Sequence, residues 1–418
     1  MIKKFFMPDN NTMKQTYFWT VLAGMTYAGS SFLMSMVTSN LLGAAMAGVL
    51  ALALSIGNQL VTIGYYNIRT FQVSDVREKY SFSDYCGSRI LTISAMLLVG
   101  VIWIILGGYS DIKLAAIIFM MLFKVGEAIS DLLEGRYQQK ERYDVSCRGV
   151  FVKTVVFLLV FIGVMVATRN LIAALAALAV IYAVSIMVID SRLIGSFGGI
   201  QVEFHWKRQL ELLFAGLPLF INSFLTAYIL NASKYAVDKY YKSEFLGTFN
   251  ALYMMAFVIN MFASFVLKPI ISSLAVRYSD GDIRGFVHLM MRQLIIIACI
   301  TVICILGAYL VGVQILSILF GIDLYDYRME LCLLLVGGSF TAVYQMLQYG
   351  IVIIRHQYSC LVGCGITTVF TFLFTPVLTK RFAVLGASIS YLGSMVLLSS
   401  IFMGFFVYYL KKDKREKE

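Results

Sequence analysis

The chain alternates between long runs without Asp, Glu, Lys or Arg and short polar connections. A charge at the bilayer centre costs about 2.5–3.5 kcal/mol on insertion scales, so charge-free runs near 20 residues mark membrane-spanning helices. Residues 15–68 hold no charge, enough for two helices with a tight turn predicted at Ser39-Asn40-Leu41-Leu42-Gly43. Further uncharged runs are 90–110, 154–168, 170–189, 212–233, 245–267, 293–322, 331–354, 357–379 and 382–410. One interrupted segment, 114–135, brings the expected total to 12 spans. The run 154–168 is short, and Lys153 and Arg169 are expected to snorkel to the two interfaces and lengthen it.

Composition narrows the class. At 60% hydrophobic and 14% charged over 418 residues, the chain is too apolar for a water-soluble domain. Its continuous runs also exclude a transmembrane barrel, whose strands alternate over segments of about ten residues. Most of the 34 Lys and Arg fall on one side when the chain crosses twelve times, which predicts both termini in the cytoplasm. The net charge of +11 therefore reflects topology and anionic lipid, and no nucleic-acid partner is expected. The seven cysteines lie mostly in apolar runs without metal or redox spacing, so they are expected to pack. The first apolar segment runs unbroken into the second, and no cleavable signal peptide is expected.

The longest polar connection, near 194–211, carries Glu203, His205, Trp206, Lys207, Arg208 and Glu211 and reads as an interfacial amphipathic stretch. The expected organisation is a six-helix bundle at 1–193, a linker at 194–213, a second six-helix bundle at 214–410 and a basic tail at 411–418. Ala23-Gly24-Met25 is echoed by Ala215-Gly216-Leu217, and Asn58-x3-Thr62 by Asn260-x3-Ser264. Six spans per half imply a parallel repeat about a pseudo-twofold along the membrane normal, with a site expected between halves near the midplane.

The fourth span breaks the charge-free rule. Lys124, Glu127, Asp131 and Glu134 fall on one face of a helix, which must point at a partner helix or at water. An intrahelical ladder, Lys124 with Glu127 and Glu134 with Gln138, is the structural alternative to ion uptake by Glu127, Asp131 or Glu134. Polar stripes recur at Asn58, Thr62, Tyr65 and Arg69, and at Asn250, Tyr253, Asn260, Ser264 and Lys268. Others are Asn231, Lys234 and Asp238 beyond Pro218 and Asn222, and Thr341, Gln345, Gln348 and Arg355. Any one stripe could be helix–helix hydrogen bonding, but together they predict a hydrophilic cavity. Its basic members, Arg69, Lys124, Lys234, Lys268 and Arg355, with Arg89 and Arg292 near span ends, favour an anionic ligand.

Enzyme readings fare worse. Asp280-Gly281-Asp282 has the DxD spelling of metal-nucleotide glycosyltransferases but sits where Asp and Gly form ordinary turns. His205, His288 and His356 are scattered, no P-loop occurs, and no external loop is large enough for a catalytic domain.

The chain resembles the Wzx-type polysaccharide flippases, in the polysaccharide-transport branch of the multidrug/oligosaccharidyl-lipid/polysaccharide exporter superfamily. The likeness rests on the length, the twelve spans and two connections. One is Arg69-Thr70-Phe71-Gln72-Val73-Ser74-Asp75 with Tyr85 and Arg89; the other runs from Asp131-Leu132-Leu133-Glu134-Gly135-Arg136 to Asp144. The resemblance implies two rocking six-helix bundles in the bacterial cytoplasmic membrane. Undecaprenyl-diphosphate-linked oligosaccharide would pass from the inner to the outer leaflet for capsule or O-antigen assembly. The motive force would be a proton or sodium gradient, with no bound cofactor and no metal. Membrane lipid, a polysaccharide polymerase and glycosyltransferases are the further expected partners. Substrate would be held by Arg69, Lys124, Asn231, Lys234, Asn260, Lys268, Gln345, Gln348 and Arg355, and the ion by Glu127, Asp131, Glu134 and Asp238. The chain departs from the fourteen-helix plan of lipid II flippases. The alternatives are a multidrug-type cation antiporter of the same superfamily and a membrane glycosyltransferase or polymerase.

Overall fold

The computed structural model describes residues 5–8, 12–75, 77–109, 111–200, 202–267 and 270–417, without the side chains of 257, 261–267, 272 and 413–417. The described residues form helices and no strand. In chain order these are α1 (Met13–Tyr65), α2 (Ile68–Ser74), α3 (Phe82–Gly107), α4 (Asp111–Gln139), α5 (Tyr143–Thr168) and α6 (Leu171–Phe197). They continue with α7 (Trp206–Tyr240), α8 (Ser243–Leu267), α9 (Ile271–Ser279), α10 (Ile283–Phe320), α11 (Arg328–Ile353) and α12 (Gln357–Lys417).

Helix is the expected outcome for these apolar runs, because in hydrocarbon every backbone group must find its partner within the segment. Eight of the helices are long and apolar enough to cross a membrane. Two of the eight break and cross twice: α1 at Gly43, and α12 at Phe382 and Ala383. The charged α4 and the apolar α8 complete twelve transmembrane helices, so the chain is an all-α, multi-pass membrane protein built as two bundles. The α1 break lies inside the predicted turn, where Gly43 takes φ +82°, a backbone region that a Cβ disfavours.

Local chemistry sets the ends. Thr12 and Gln15 form a reciprocal capping box on α1, and Ser81 and Asp84 form another on α3. Asn170 accepts from the Ile172 and Ala173 amides at the start of α6. Asp282 Oδ1 accepts from Gly285 N at 2.8 Å and starts α10, while Gly281 turns at φ +78°. The DxD tripeptide is thus a turn and a helix cap.

Packing divides the chain into two units. One comprises Met1–Leu42 and Val49–Phe224, and the other Gly43–Gly48 and Leu225–Glu418. The division falls within α7. The described residues of 198–205 are non-helical, and the helix resumes at Trp206, so 194–211 is not one amphipathic stretch. Two of its polar groups bind α3 instead. The Glu203 amide donates to Ser83 Oγ at 2.7 Å, and His205 Nδ1 lies 3.1 Å from the buried Asp84 carboxylate.

The first unit has a core of Tyr85, Leu133, Tyr137, Val145, Leu193, Phe197 and Leu212, all buried. In the second, the limbs of α12 are joined by hydroxyls: Thr371 donates to Ser394 at 2.9 Å, and Thr375 meets Ser390. Such bonds hold helices together where lipid offers no hydrophobic drive between them. Close backbone approach adds to this. A Cβ on Gly48 would overlap the Ser243 carbonyl, and one on Gly247 would overlap that of Ala44.

Candidate functional site

The charged face of α4 lies at the centre of the first unit. Lys124 Nζ donates to Glu127 Oε2 at 2.6 Å, and the Tyr27 hydroxyl donates to Glu127 Oε1 at 3.0 Å. One turn on, Asp131 is held by two arginines, Arg89 Nη2 at 2.7 Å and Arg69 Nη1 at 3.1 Å. Arg69 Nη1 also reaches Glu134 Oε2 at 3.3 Å, while its Nη2 donates to Gln138 Oε1 at 3.2 Å and Ser146 Oγ at 3.3 Å. Glu134 Oε1 accepts from Ser130 at 3.1 Å and from Lys153 at 3.0 Å. Lys153 further donates to Ser130 and to Asp190 Oδ2 at 3.2 Å, and Tyr137 donates to Asp190 Oδ1 at 3.0 Å.

This network settles which ladder forms. Lys124 and Glu127 pair within the helix, as in the ladder alternative, but Glu134 and Gln138 both turn to Arg69. The snorkelling expected of Lys153 is overturned. Its side chain is 1% exposed and ends between two carboxylates. Burying an ammonium costs several kcal/mol in desolvation, which Glu134 and Asp190 offset together here. Arg169 is exposed at the end of α5.

Two adjoining cavities open on the network. One of about 420 Å³ is lined by Tyr65, Asn67, Arg69, Thr70, Asp131 and Gln138, among others. The second, of about 260 Å³, lies against Tyr27, Glu127, Ser130, Glu134, Thr154 and Tyr182. Tyr65, Arg69 and Asp131 border both. Of the predicted residues, Arg69, Glu127, Asp131 and Glu134 therefore converge, and Lys124 joins them through Glu127.

The second unit handles charge differently. Lys234 on α7 is 7% exposed, and its ammonium lies 4.4 Å from the centroid of the Tyr253 ring. No carboxylate among the described residues pairs with it. Tyr253 donates to Leu230 O at 3.2 Å and packs edge-on against Tyr391, whose hydroxyl meets Thr341 Oγ1 at 2.8 Å. The result is an aromatic, hydroxyl-bearing surround for a buried cation.

The other predicted positions have plainer surroundings. Asn231 and Asn260 each donate to a carbonyl of their own helix, Ala227 O at 2.9 Å and Ala256 O at 3.1 Å. Asp238, Gln345 and Gln348 are half-buried, and Arg355 is exposed at the end of α11. Lys268 lies outside the described residues, as does the side chain of Ser264. Sequence reasoning missed Tyr27, Ser130, Lys153, Tyr182 and Asp190, and placed Arg89 as a span-end charge. The signal for Lys153 was the 15-residue run beside it, too short to cross a bilayer unless the lysine itself lies inside.

The fold is shared with solved transporters. An inward-facing multidrug resistance MATE family transporter of the MOP superfamily matches with TM-score 0.65 and 13% identity, covering 97% of both chains. The lipid II flippase MurJ in an inward closed conformation matches with TM-score 0.72 and 11% identity, over 92% of this chain and 87% of that one. A MOP superfamily transporter from Pyrococcus furiosus matches with TM-score 0.59 and 12% identity, over 97% and 96%. In that protein, reverse polarity of the binding pocket suggests a different function. The chain has the fold of MOP-superfamily transporters. No family model and no curated protein matches its sequence. Within this MOP fold, the charged network belongs to the amino-terminal unit and the buried lysine to the carboxy-terminal one.

Proposed function

We propose that this chain is a flippase for a polyprenyl-diphosphate-linked oligosaccharide. It acts in the bacterial cytoplasmic membrane with both termini in the cytoplasm and serves capsule or O-antigen assembly. Counterflow of protons or sodium ions drives it. Lys234 carries the reading. A buried ammonium whose described partner is a single aromatic ring is a standing demand for an anion, and it repels an organic cation. A diphosphate meets that demand. Asn231, Asn260, Gln345, Gln348, Lys268 and Arg355 are the further substrate contacts in this scheme. Glu127, Asp131, Glu134 and Asp238 serve the ion.

The MOP fold is compatible with multidrug export and lipid flipping alike, since both kinds of transporter share it. The test is reconstitution in vesicles with a labelled polyprenyl-diphosphate glycan, read by its accessibility to an impermeant lectin. Gradient-dependent movement by wild type, lost in Lys234→Gln at equal protein density, is the expected result. Extrusion of an organic cation dye without glycan movement would establish the multidrug reading in its place.

A further inference from the structure

In the second unit, α10 has two opposite sides. Phe286, Met290, Gln293, Ile297 and Thr301 are buried, and at 3.6 residues per turn they share one side. The other side is exposed and changes character along its length. It opens with Arg284, His288 and Arg292 at steps of four, all exposed. It continues through Met291, Ile295 and Val302, which are 50%, 61% and 56% exposed. From Met291 to Val302 the helix rises about 16 Å, roughly half the thickness of a hydrocarbon core. A basic end followed by an apolar stripe one leaflet long is the complement of a phospholipid.

Two further observations separate this side from ordinary lipid contact. α10 contains neither Asp nor Glu, and among the described residues the side chains of Arg284, His288 and Arg292 have no ion-pair or hydrogen-bond partner. The adjacent carboxylate is already occupied: Asp282 Oδ1 accepts from the Gly285 amide at 2.8 Å, and Oδ2 from Arg277 Nη1 at 2.9 Å. The basic end is also concave. A cavity of about 720 Å³ is lined by Gly281 and Asp282 from the turn and by Arg284, Val287, His288 and Met291 from the helix. That volume falls in the range of small-molecule pockets, roughly 300–1,000 Å³. Since Asp282 caps the helix, the seat is its side-chain face and not its end.

We propose that this side of α10 is a docking surface for an anionic phospholipid, its phosphate between Arg284 and His288 and an acyl chain along Met291, Ile295 and Val302. Residues four apart on a helix have Cβ atoms about 5–6 Å apart, so both side chains can reach one phosphate. The guanidinium offers it two parallel donors and the imidazole adds an N–H. Net negative charge decides the choice of lipid. A zwitterionic lipid would bring its own ammonium against Arg284 and Arg292, whereas an anionic one relieves the repulsion between like charges stacked along the helix. None of the three basic residues belongs to the groups assigned to cargo or ion. The surface therefore stands whether the chain moves a lipid-linked glycan or an organic cation.

The experiment is binding of fluorescent phosphatidylglycerol to the purified full chain in neutral detergent at pH 7 and low salt. Phosphatidylcholine with the same acyl chains and glycerol 3-phosphate are the competitors. Wild type is expected to hold phosphatidylglycerol at least about tenfold more tightly than phosphatidylcholine, since each basic group near a membrane surface contributes about fivefold. Arg284→Gln alone should lose about fivefold in affinity. The triple variant Arg284→Gln, His288→Gln, Arg292→Gln should lose the preference altogether, while Arg169→Gln, exposed on the first unit, should keep it. Equal binding of the two lipids by wild type would overturn the proposal without recourse to any variant. Glycerol 3-phosphate competing as well as the lipid would assign the seat to free phosphate and overturn the lipid. A preference that survives the triple substitution, or falls equally in Arg169→Gln, would belong to the net charge of the whole chain and overturn the surface.

Discussion

Lys153 on α5 meets Asp190 on α6 with Nζ 3.2 Å from Oδ2, inside the first unit, where both side chains are almost wholly enclosed. The contact falls at a five-residue π-helical turn, Ile186–Asp190, that interrupts the regular α pattern of α6. π turns inside helices recur at functional sites. Here the turn ends on the residue that, with Glu134, neutralises a lysine buried in the first unit.

Removing that lysine leaves two buried carboxylates facing each other. Lys153→Ala is expected to destabilise the protein by about 3–5 kcal/mol, the usual consequence of breaking a buried pair. Thermal melts in detergent check this, with Lys153→Met combined with Asp190→Asn and Glu134→Gln as the neutral comparison. The triple variant should regain most of the loss. A Lys153→Ala melt matching wild type would return the residue to the role of an interfacial charge.

Lys124 and Glu127 should behave as a unit. Lys124→Ala alone strands the Glu127 carboxylate and is expected to lower both folded yield and transport. Lys124→Ala with Glu127→Gln should restore the yield but leave transport insensitive to the ion gradient. If Glu127→Gln retains the full pH or sodium dependence of wild type, Glu127 has no part in coupling.

Tyr27 offers a finer probe of the same carboxylate. Its hydroxyl donates to Glu127 and ties α1 to α4 at that oxygen. Tyr27→Phe removes one hydrogen bond and should destabilise the fold by about 0.5–1.5 kcal/mol, read as a lower melting temperature in detergent. A melt matching wild type would contradict the donor role.

At the connection between α2 and α3, a hydrogen bond from Lys140, with Arg136 beside it, holds the Glu78 carboxyl below its ordinary range. A depressed carboxyl contributes stability above its unfolded titration, near pH 4.3, and loses it as pH falls through the folded value. Glu78→Gln should therefore leave the acid limb of the melting curve shallower below about pH 4.3. At neutral pH the variant should lose no more than about 1 kcal/mol, because the pair is partly exposed. Parallel limbs for variant and wild type would show that Glu78 takes no part in acid unfolding.

Much of this was legible along the chain. The runs without charge located the helices, the Ser39–Gly43 turn was placed where Gly43 breaks α1, and the face shared by Lys124, Glu127, Asp131 and Glu134 is the one that the bundle encloses. The DxD tripeptide was read as a turn and is one. Lys153 was misplaced because hydropathy assigns a charge beside an apolar run to the nearest interface. Nothing in a one-dimensional pattern reports that Glu134 and Asp190, 19 residues before it and 37 after, lie within hydrogen-bonding reach.

What the sequence determined by itself is the partition between lipid and water. Each residue's transfer free energy is its own, so summing it along the chain suffices for twelve helices and for a polar face on the fourth. What tertiary structure decided is which charge meets which. Arg69, Lys153 and Lys234 looked alike as letters, yet two are tied to carboxylates of other helices and the third lies against an aromatic ring. That difference comes from distances of about 3 Å between helices remote in sequence, and in a low dielectric those distances decide whether a cation is neutralised or awaits an anion.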